Sequence, residues 1–370
     1  LAQRVIIHID FDYFYAQCEE NANPSIRGKP VVVCVYSGRT SESGVVSTSN
    51  YEARKYGVKA GVSIATAKKL LESTDATFLP MNRSQYESVS GRIMDILRDH
   101  GDIFERTGID EAYLDVSQNS NGRYDIAETI GTSLKETVIR QEHITCSIGI
   151  APNKLLAKIA SDHVKPNGLT IVEPEKIHSF LNAQAANRIP GVGKKVEEKL
   201  RAFNVRTIDD LARLNPVVLQ ESFGKKLGTY LFRAARGEDD EQVKDRELPT
   251  QMSRIGTLKE NTRDFNFIRP FLNELAQSLT EKLQDEEMTC KSVSIIAILS
   301  NLTIHTKSRT LESPTQELRT IDECAQQLMK EFLDSTPQTM LRRAGVKVSG
   351  LSKPSGQTNI ESFFSTRSPQ

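Results

Sequence analysis

The segment Thr107-Gly108-Ile109-Asp110-Glu111-Ala112-Tyr113-Leu114-Asp115 places two adjacent carboxylates at the head of an apolar, strand-like run. Neighbouring side chains on a strand point to opposite faces, so both acids reach one space only at a strand edge or hairpin mouth. Gly108 is expected to permit that turn. Half-buried carboxylates without a counter-charge repel one another and resist leaving water. A bound divalent cation is the commonest arrangement that leaves both ionised.

A third acid stands in a similar setting near the N-terminus. Val5-Ile6-Ile7-His8-Ile9 reads as a buried strand that ends in Asp10-Phe11-Asp12, just ahead of the helix-like segment Tyr13 to Glu20. Asp12, between strand and helix, is expected to be the N-cap. Asp10 has no such local duty. If the two strands are neighbours in one sheet, Asp10, Asp110 and Glu111 form an all-oxygen site, suited to Mg²⁺ or Mn²⁺ and wrong for zinc. Two such ions can stabilise both the attacking and the leaving oxygen of a phosphoryl transfer.

The strings Ile9-Asp10-Phe11-Asp12-Tyr13-Phe14-Tyr15-Ala16, Tyr51-Glu52-Ala53-Arg54-Lys55-Tyr56-Gly57-Val58 and Ile109-Asp110-Glu111-Ala112-Tyr113-Leu114-Asp115 resemble those of Y-family DNA polymerases of the DinB or polymerase IV type, archaeal members above all. The resemblance runs from residue 4 to about 350. It implies an α+β multidomain fold: a ferredoxin-like palm (1–12 and 78–171), small fingers (13–77), a helical thumb with a helix-hairpin-helix (172–235), a linker (236–249), a C-terminal ferredoxin-like little finger (250–350) and a flexible tail (351–370). The function implied is template-directed addition of dNTPs to a primer 3′-hydroxyl, with low fidelity on damaged templates. Asp10, Asp110 and Glu111 would hold two Mg²⁺ ions, Mn²⁺ being a possible substitute, with the Phe11 carbonyl as a further ligand. Thr48, Tyr51, Arg54 and Lys165 would meet the triphosphate, chemistry that suits a guanidinium fork, an ammonium and two hydroxyls. Tyr15 would lie under the incoming sugar and exclude a 2′-hydroxyl. Val35, Val45, Ser47 and Gly61 would roof the templating base.

Composition adds constraints of its own. A chain of 370 residues is too long for one ordinary core. With no long apolar run, a soluble, membrane-free and cytoplasmic protein is expected, nucleoid-associated, or nuclear in a eukaryotic source, and acting as a monomer. Five scattered cysteines without a Cys-x-x-Cys pair argue against a disulfide framework and against zinc. The 48 basic and 48 acidic residues cancel, so any grip on DNA must come from local patches.

One such patch is Ile189-Pro190-Gly191-Val192-Gly193-Lys194-Lys195, which resembles the turn of a helix-hairpin-helix. Gly191 and Gly193 let backbone approach a phosphate, and Lys194 adds sequence-independent attraction. Residues 237–249 are acidic and read as an exposed tether. Beyond them the palm's order of strands and helices returns, with Arg254, Lys307 and Arg309 as expected phosphate contacts. The polar tail carries Gln357, Ile360, Phe363 and Phe364 at a spacing that resembles a sliding-clamp peptide.

Two rivals are a nucleotidyl cyclase, disfavoured by the Pro-Gly-Val-Gly turn, and a non-catalytic DNA adaptor, which should have lost an acid. None is missing, and the segments leave no part of this sequence over for a proofreading exonuclease.

Overall fold

The computed structural model describes residues 3–245 and 249–354. These fall into two compact units, residues 1–35 with 45–246, and residues 36–44 with 247–370.

The first unit opens with β1 (Ile6–Phe11) and α1 (Phe14–Ala22). There follow β2 (Val31–Tyr36), β3 (Gly44–Ser49), α2 (Tyr51–Arg54), α3 (Ile64–Leu70) and β4 (Thr77–Pro80). Next come α4 (Arg83–Arg98), β5 (Ile103–Arg106), β6 (Glu111–Asp115), α5 (Tyr124–Glu142), β7 (Cys146–Ala151), α6 (Lys154–Ser161) and β8 (Leu169–Ile171). Five strands join in the order β5-β6-β1-β7-β8, with β1 central and antiparallel to both neighbours.

Strand alternation sorts the β1 side chains onto two faces. Ile7, Ile9 and Phe11 enter a core shared with Ile93, Met94 and Leu97 of α4 and Leu134 and Val138 of α5. Phe14, Ala16 and Cys18 place α1 in the same core. On the other face Ile6 packs with Tyr113 and with Leu155, Leu156 and Ile159 of α6. Gly149 of β7 makes that closeness possible. A Cβ there would stand 2.0 Å from the Ala157 carbonyl oxygen and 2.4 Å from the Ser161 nitrogen.

The small sheet β3-β2-β4 has its own core around Val32, Val46, Ala53 and Ile64. Five short helices follow β8: α7 (Ile177–Asn182), α8 (Lys194–Arg201), α9 (Ile208–Ala212), α10 (Pro216–Phe223) and α11 (Lys225–Ala234). Their apolar faces meet around Leu200, Ile208, Leu219 and Leu231.

The acidic stretch expected to be an exposed tether is docked along its first half. Asp239 Oδ2 accepts a hydrogen bond from the Leu155 amide at 3.0 Å, in the first turn of α6, where the unpaired amides and helix dipole favour an anion. Glu241 Oε1 lies 2.6 Å from Lys154 Nζ, whose ammonium also contacts Glu105 at 2.8 Å. The Asn153 side chain donates to the Gly237 carbonyl at 2.8 Å, and the Lys244 amide to Glu105 at 3.1 Å. Acidity here supplies partners to Lys154 and α6.

The second unit runs β9 (Gln251–Thr262), α12 (Phe265–Asp285), β10 (Cys290–Leu299), β11 (Ile304–Thr315), α13 (Leu318–Ser335) and β12 (Leu341–Ser349), with sheet order β11-β10-β12-β9. The helices cover one face, over Val293, Ile295, Ala297, Val346 and Val348. None of the five cysteines, all buried, is in a disulfide, and no helix among the described residues is long and apolar enough to cross a membrane.

Candidate active site

Register brings the distant acids together. Asp10 pairs directly with Glu111 across the β1–β6 ladder, so both carboxylates leave the same face of the sheet. The Phe11 amide donates to the Asp110 carbonyl at 2.8 Å, fixing the third acid beside them in the turn before β6. That turn is held from outside. Ser90 of α4 donates its hydroxyl to the Ile109 carbonyl, while Arg106 donates to the Gly108 carbonyl at 2.9 Å and to Ser90 Oγ at 2.9 Å. Gly108 serves a different purpose from the one expected. Its backbone is not left-handed; a Cβ there would stand 3.1 Å from Glu111 Cγ and 3.3 Å from Asp110 Oδ1. The glycine leaves room for the acids.

Two lysines already face these carboxylates. Lys165 Nζ lies 2.6 Å from Asp10 Oδ1 and 2.7 Å from Asp162, and Lys158 Nζ pairs with Glu111 Oε2. Burial raises the Asp10 carboxyl to about 6 against the pull of Lys165. Burial also works against the charge on Lys165, but Asp10 and Asp162 outweigh it and keep the ammonium protonated. Asp110 is raised by burial and then by the Glu111 charge. Glu111 is held down at about 2 by its neighbours His8 and Lys158. His8 Nε2 comes only to 3.5 Å, makes no full hydrogen bond and belongs to an imidazole that burial keeps neutral, so the Lys158 ammonium carries the effect. His8 is itself anchored through Nδ1 to Ser161 Oγ at 2.7 Å.

Among the described residues no three acidic, His or Cys side chains surround one point as a ready-made metal cage. The donor set nonetheless fits a hard cation. It is all oxygen, it sits at one end of one sheet, and its charge is balanced by ammonium groups at the rim.

Asp12 differs from expectation. Tyr13, with φ 34° and ψ 43°, precedes α1 in the left-handed region, and no side chain caps the helix. The Asp12 carboxylate is 1 % exposed and accepts from Thr145 Oγ1 at 2.9 Å, Ser147 Oγ at 2.7 Å and the Asn167 amide at 2.8 Å. The Ser147 hydroxyl of β7 and the Thr145 hydroxyl just before that strand outcompete the helix end for this acid. The result ties the turn after Lys165 to the end of β1.

The expected triphosphate contacts occupy one neighbourhood. Tyr51 packs edge-on against Tyr13 at 5.2 Å, Arg54 lies over the Tyr51 ring at 4.8 Å, and Thr48 is half-buried on β3. Burial raises the Tyr51 phenol, with Asp12, Arg54, Lys165 and Asp10 all within electrostatic reach. Val35 and Val45 are exposed apolar residues of the small sheet.

In the hairpin before α8, Gly191 needs its φ of +86°, while Gly193 and Lys194 open the helix with no side-chain cap. Ile189 and Val192 anchor the turn in the helical core.

The cations expected to grip DNA in the second unit stand on the helix-covered face. Arg254 pairs with Val346 in the ladder and donates to Ser278 of α12 at 3.1 Å. Lys307 and Arg309 sit opposite Ile295 and Val293 and are paired with Glu331 of α13 at 2.7 and 2.6 Å. The face away from the helices instead carries Arg343 and Lys347, opposite Thr257 and Ser253 on β9 and Ile298 and Ser294 on β10. Lys347 stands between the core residues Val346 and Val348, a visible outward signal. Lys158, His8 and Arg106 also went unassigned by sequence reasoning.

Gln357, Ile360, Phe363 and Phe364 lie outside the described residues.

Residues 9–162 match the impB/mucB/samB family, 249–361 its C-terminal domain, and 187–239 the thumb domain of DNA polymerase-iota. The fold is thus that of a polymerase with palm, thumb and little finger. The chain is 45% identical to DNA polymerase IV of Nitrosopumilus maritimus over 98% of this chain and 99% of the relative. It is 43% identical to DNA polymerase IV of Methanosarcina acetivorans over 97% and 99%. A Y-family DNA polymerase chimera of Dbh and Dpo4 superposes with a TM-score of 0.89 at 36% identity, covering 94% of this chain and 99% of that one. An insertion ternary complex of Dbh DNA polymerase gives 0.69 at 36%, with the same coverage. The chain belongs to the Y-family DNA polymerases, in the DinB or DNA polymerase IV branch.

Proposed function

We propose that this chain extends a primer 3′-hydroxyl with dNTPs on a DNA template, as a translesion polymerase of low fidelity. The observation that carries the reading is the pairing of Asp10 with Glu111 on one face, with Asp110 fastened to the Phe11 amide beside them. Asp10, Asp110, Glu111 and the Phe11 carbonyl would hold two Mg²⁺ ions, or Mn²⁺ in their place. Bound there, the ions would activate the attacking oxygen and neutralise the leaving pyrophosphate. The chain's own residues position the reactants, which is most of what phosphoryl transfer asks of a protein. Lys165, Arg54, Tyr51 and Thr48 face the triphosphate, and Tyr15 faces the sugar.

Primer extension with Mg²⁺ and the four dNTPs tests this directly: template-dependent addition is expected. Absence of incorporation by a folded preparation would favour the adaptor reading, and cyclic nucleotide formation from a nucleoside triphosphate the cyclase.

DNA would meet the Gly191–Lys194 turn and, in the second unit, the face bearing Arg343 and Lys347. Replacing both cations with alanine is expected to weaken duplex binding severalfold at low salt and to flatten its salt dependence by roughly one unit of slope per cation. Lys307→Ala should instead have little effect on binding, because its partner is Glu331, and should lower the melting temperature only slightly, since the pair is partly exposed and Glu331 keeps Arg309. Filter binding across a salt series, alongside thermal melts, distinguishes the two. The tail peptide Gln357, Ile360, Phe363 and Phe364 would dock on a sliding clamp, supported by its sequence. The enzyme would act as a cytoplasmic monomer.

A further inference from the structure

We propose that Tyr86 sets the sugar selectivity of the nucleotide site by fixing the plane of the Tyr15 ring, without itself meeting the nucleotide. The inference rests on the reading of Tyr15 as the residue under the incoming sugar.

Tyr15 lies in the first turn of α1 and is half-buried; Tyr86 lies in the first turn of α4 and is fully buried. Their rings stack with centroids 4.5 Å apart and an interplanar angle of 15°. The neighbouring pairs Phe11–Phe14 and Phe14–Tyr15 are tilted by 55° and 51°. The tip of Tyr86 is held as well, since its hydroxyl donates to Glu19 Oε1. Glu19 follows Tyr15 by four residues, so the two lie on one face of α1, a turn apart. A single side chain from α4 is thereby fixed at ring and tip to consecutive turns of the neighbouring helix.

The mechanical consequence follows from close packing. Tilting Tyr15 away from the nucleotide would drive its edge into a fully buried ring whose hydroxyl is bonded to Glu19. Tyr15 therefore keeps one plane. An excluder of the 2′-hydroxyl must do so, because discrimination by bulk is lost once the bulky group can yield. The Tyr15 phenol is raised first by burial and next by the Asp110 charge, which lies within electrostatic reach of it.

The test measures kcat/KM for a dNTP and its matching ribonucleotide. Tyr86→Leu is expected to raise the ribonucleotide-to-deoxyribonucleotide ratio about tenfold, while dNTP incorporation falls no more than about threefold. Tyr86→Phe, which keeps the plane, should stay within about threefold of the wild-type ratio. In a Tyr15→Ala background Tyr86→Leu should add nothing. Should Tyr86→Leu not fold, Tyr86→Met, longer and able to adapt to the site, must raise the ratio in its place. An unchanged ratio, or equal loss on both substrates, overturns the inference, since a purely structural residue would slow both alike. If Tyr15→Ala itself admits no ribonucleotide, the reading of Tyr15 fails; if it does and Tyr86→Leu does not, only the role of Tyr86 fails.

Discussion

Replacing Asp110 with Asn together with Glu111 with Gln is expected to reduce dNTP incorporation by roughly a thousandfold or more, with the fold retained. The two acids contribute unequally to stability, and this gives the experiment an internal check. Asp110 is half-buried, and its carboxyl is raised by that burial and then by the Glu111 charge, so an amide there removes a repulsion and should leave the melting temperature unchanged or higher. Glu111 is paired with Lys158, and its amide gives that up, so Glu111→Gln alone should melt slightly lower. Single-nucleotide extension read with circular-dichroism melts tests both halves. Undiminished incorporation by the double variant would remove the acids from the chemistry.

The second large effect is expected at Asp12. Asp12→Ala takes the shared acceptor from two hydroxyls and one amide in a place water does not reach. Breaking such a network is expected to destabilise the first unit by about 3 kcal/mol, measured by urea unfolding. Thr145→Val, which removes one donor and leaves the acid two, should lose about 1 kcal/mol. Equal losses in the two variants would show that the carboxylate is not the hub. Because Asn167 hangs from Asp12 and Lys165 lies two residues before it, the alanine variant should also raise the KM for dNTP.

Much of this architecture was legible in the residues. The strands and helices of both units follow from local alternation and periodicity, and the acids stood out because ionised groups at the end of apolar strands need a stated compensation. What escaped depends on contacts between distant segments. Lys158 looks like any surface lysine of a helix until the sheet brings Glu111 beneath it. Asp12 had a local duty open to it as a cap, and only the start of β7 and the turn before β8 reveal the competing partners. In β11 the two apolar residues point to opposite faces: Leu311, on the parity of Lys307 and Arg309, packs on the core, while Ile304, on the other parity, is exposed, so the inward face could not be assigned from the residues alone. On β12 it could, since Val346 and Val348 flank Lys347. The acidic segment after α11 is exposed along most of its described length, as its charge suggests; what the residues alone do not reveal is that the buried Lys154 ammonium docks it through Glu241.

The contact of α6 with bare backbone at Gly149 also bears on how this palm tolerates redesign. Helices that rest on side chains can be raised or lowered by exchanging them. This one rests on main-chain atoms, with the Ala157 carbonyl and Ser161 amide nearly touching the strand. Leucines and isoleucines around it can be traded for others of like volume, whereas any Cβ at this one position would lift the whole helix, taking Lys158 from Glu111 and Ser161 from His8.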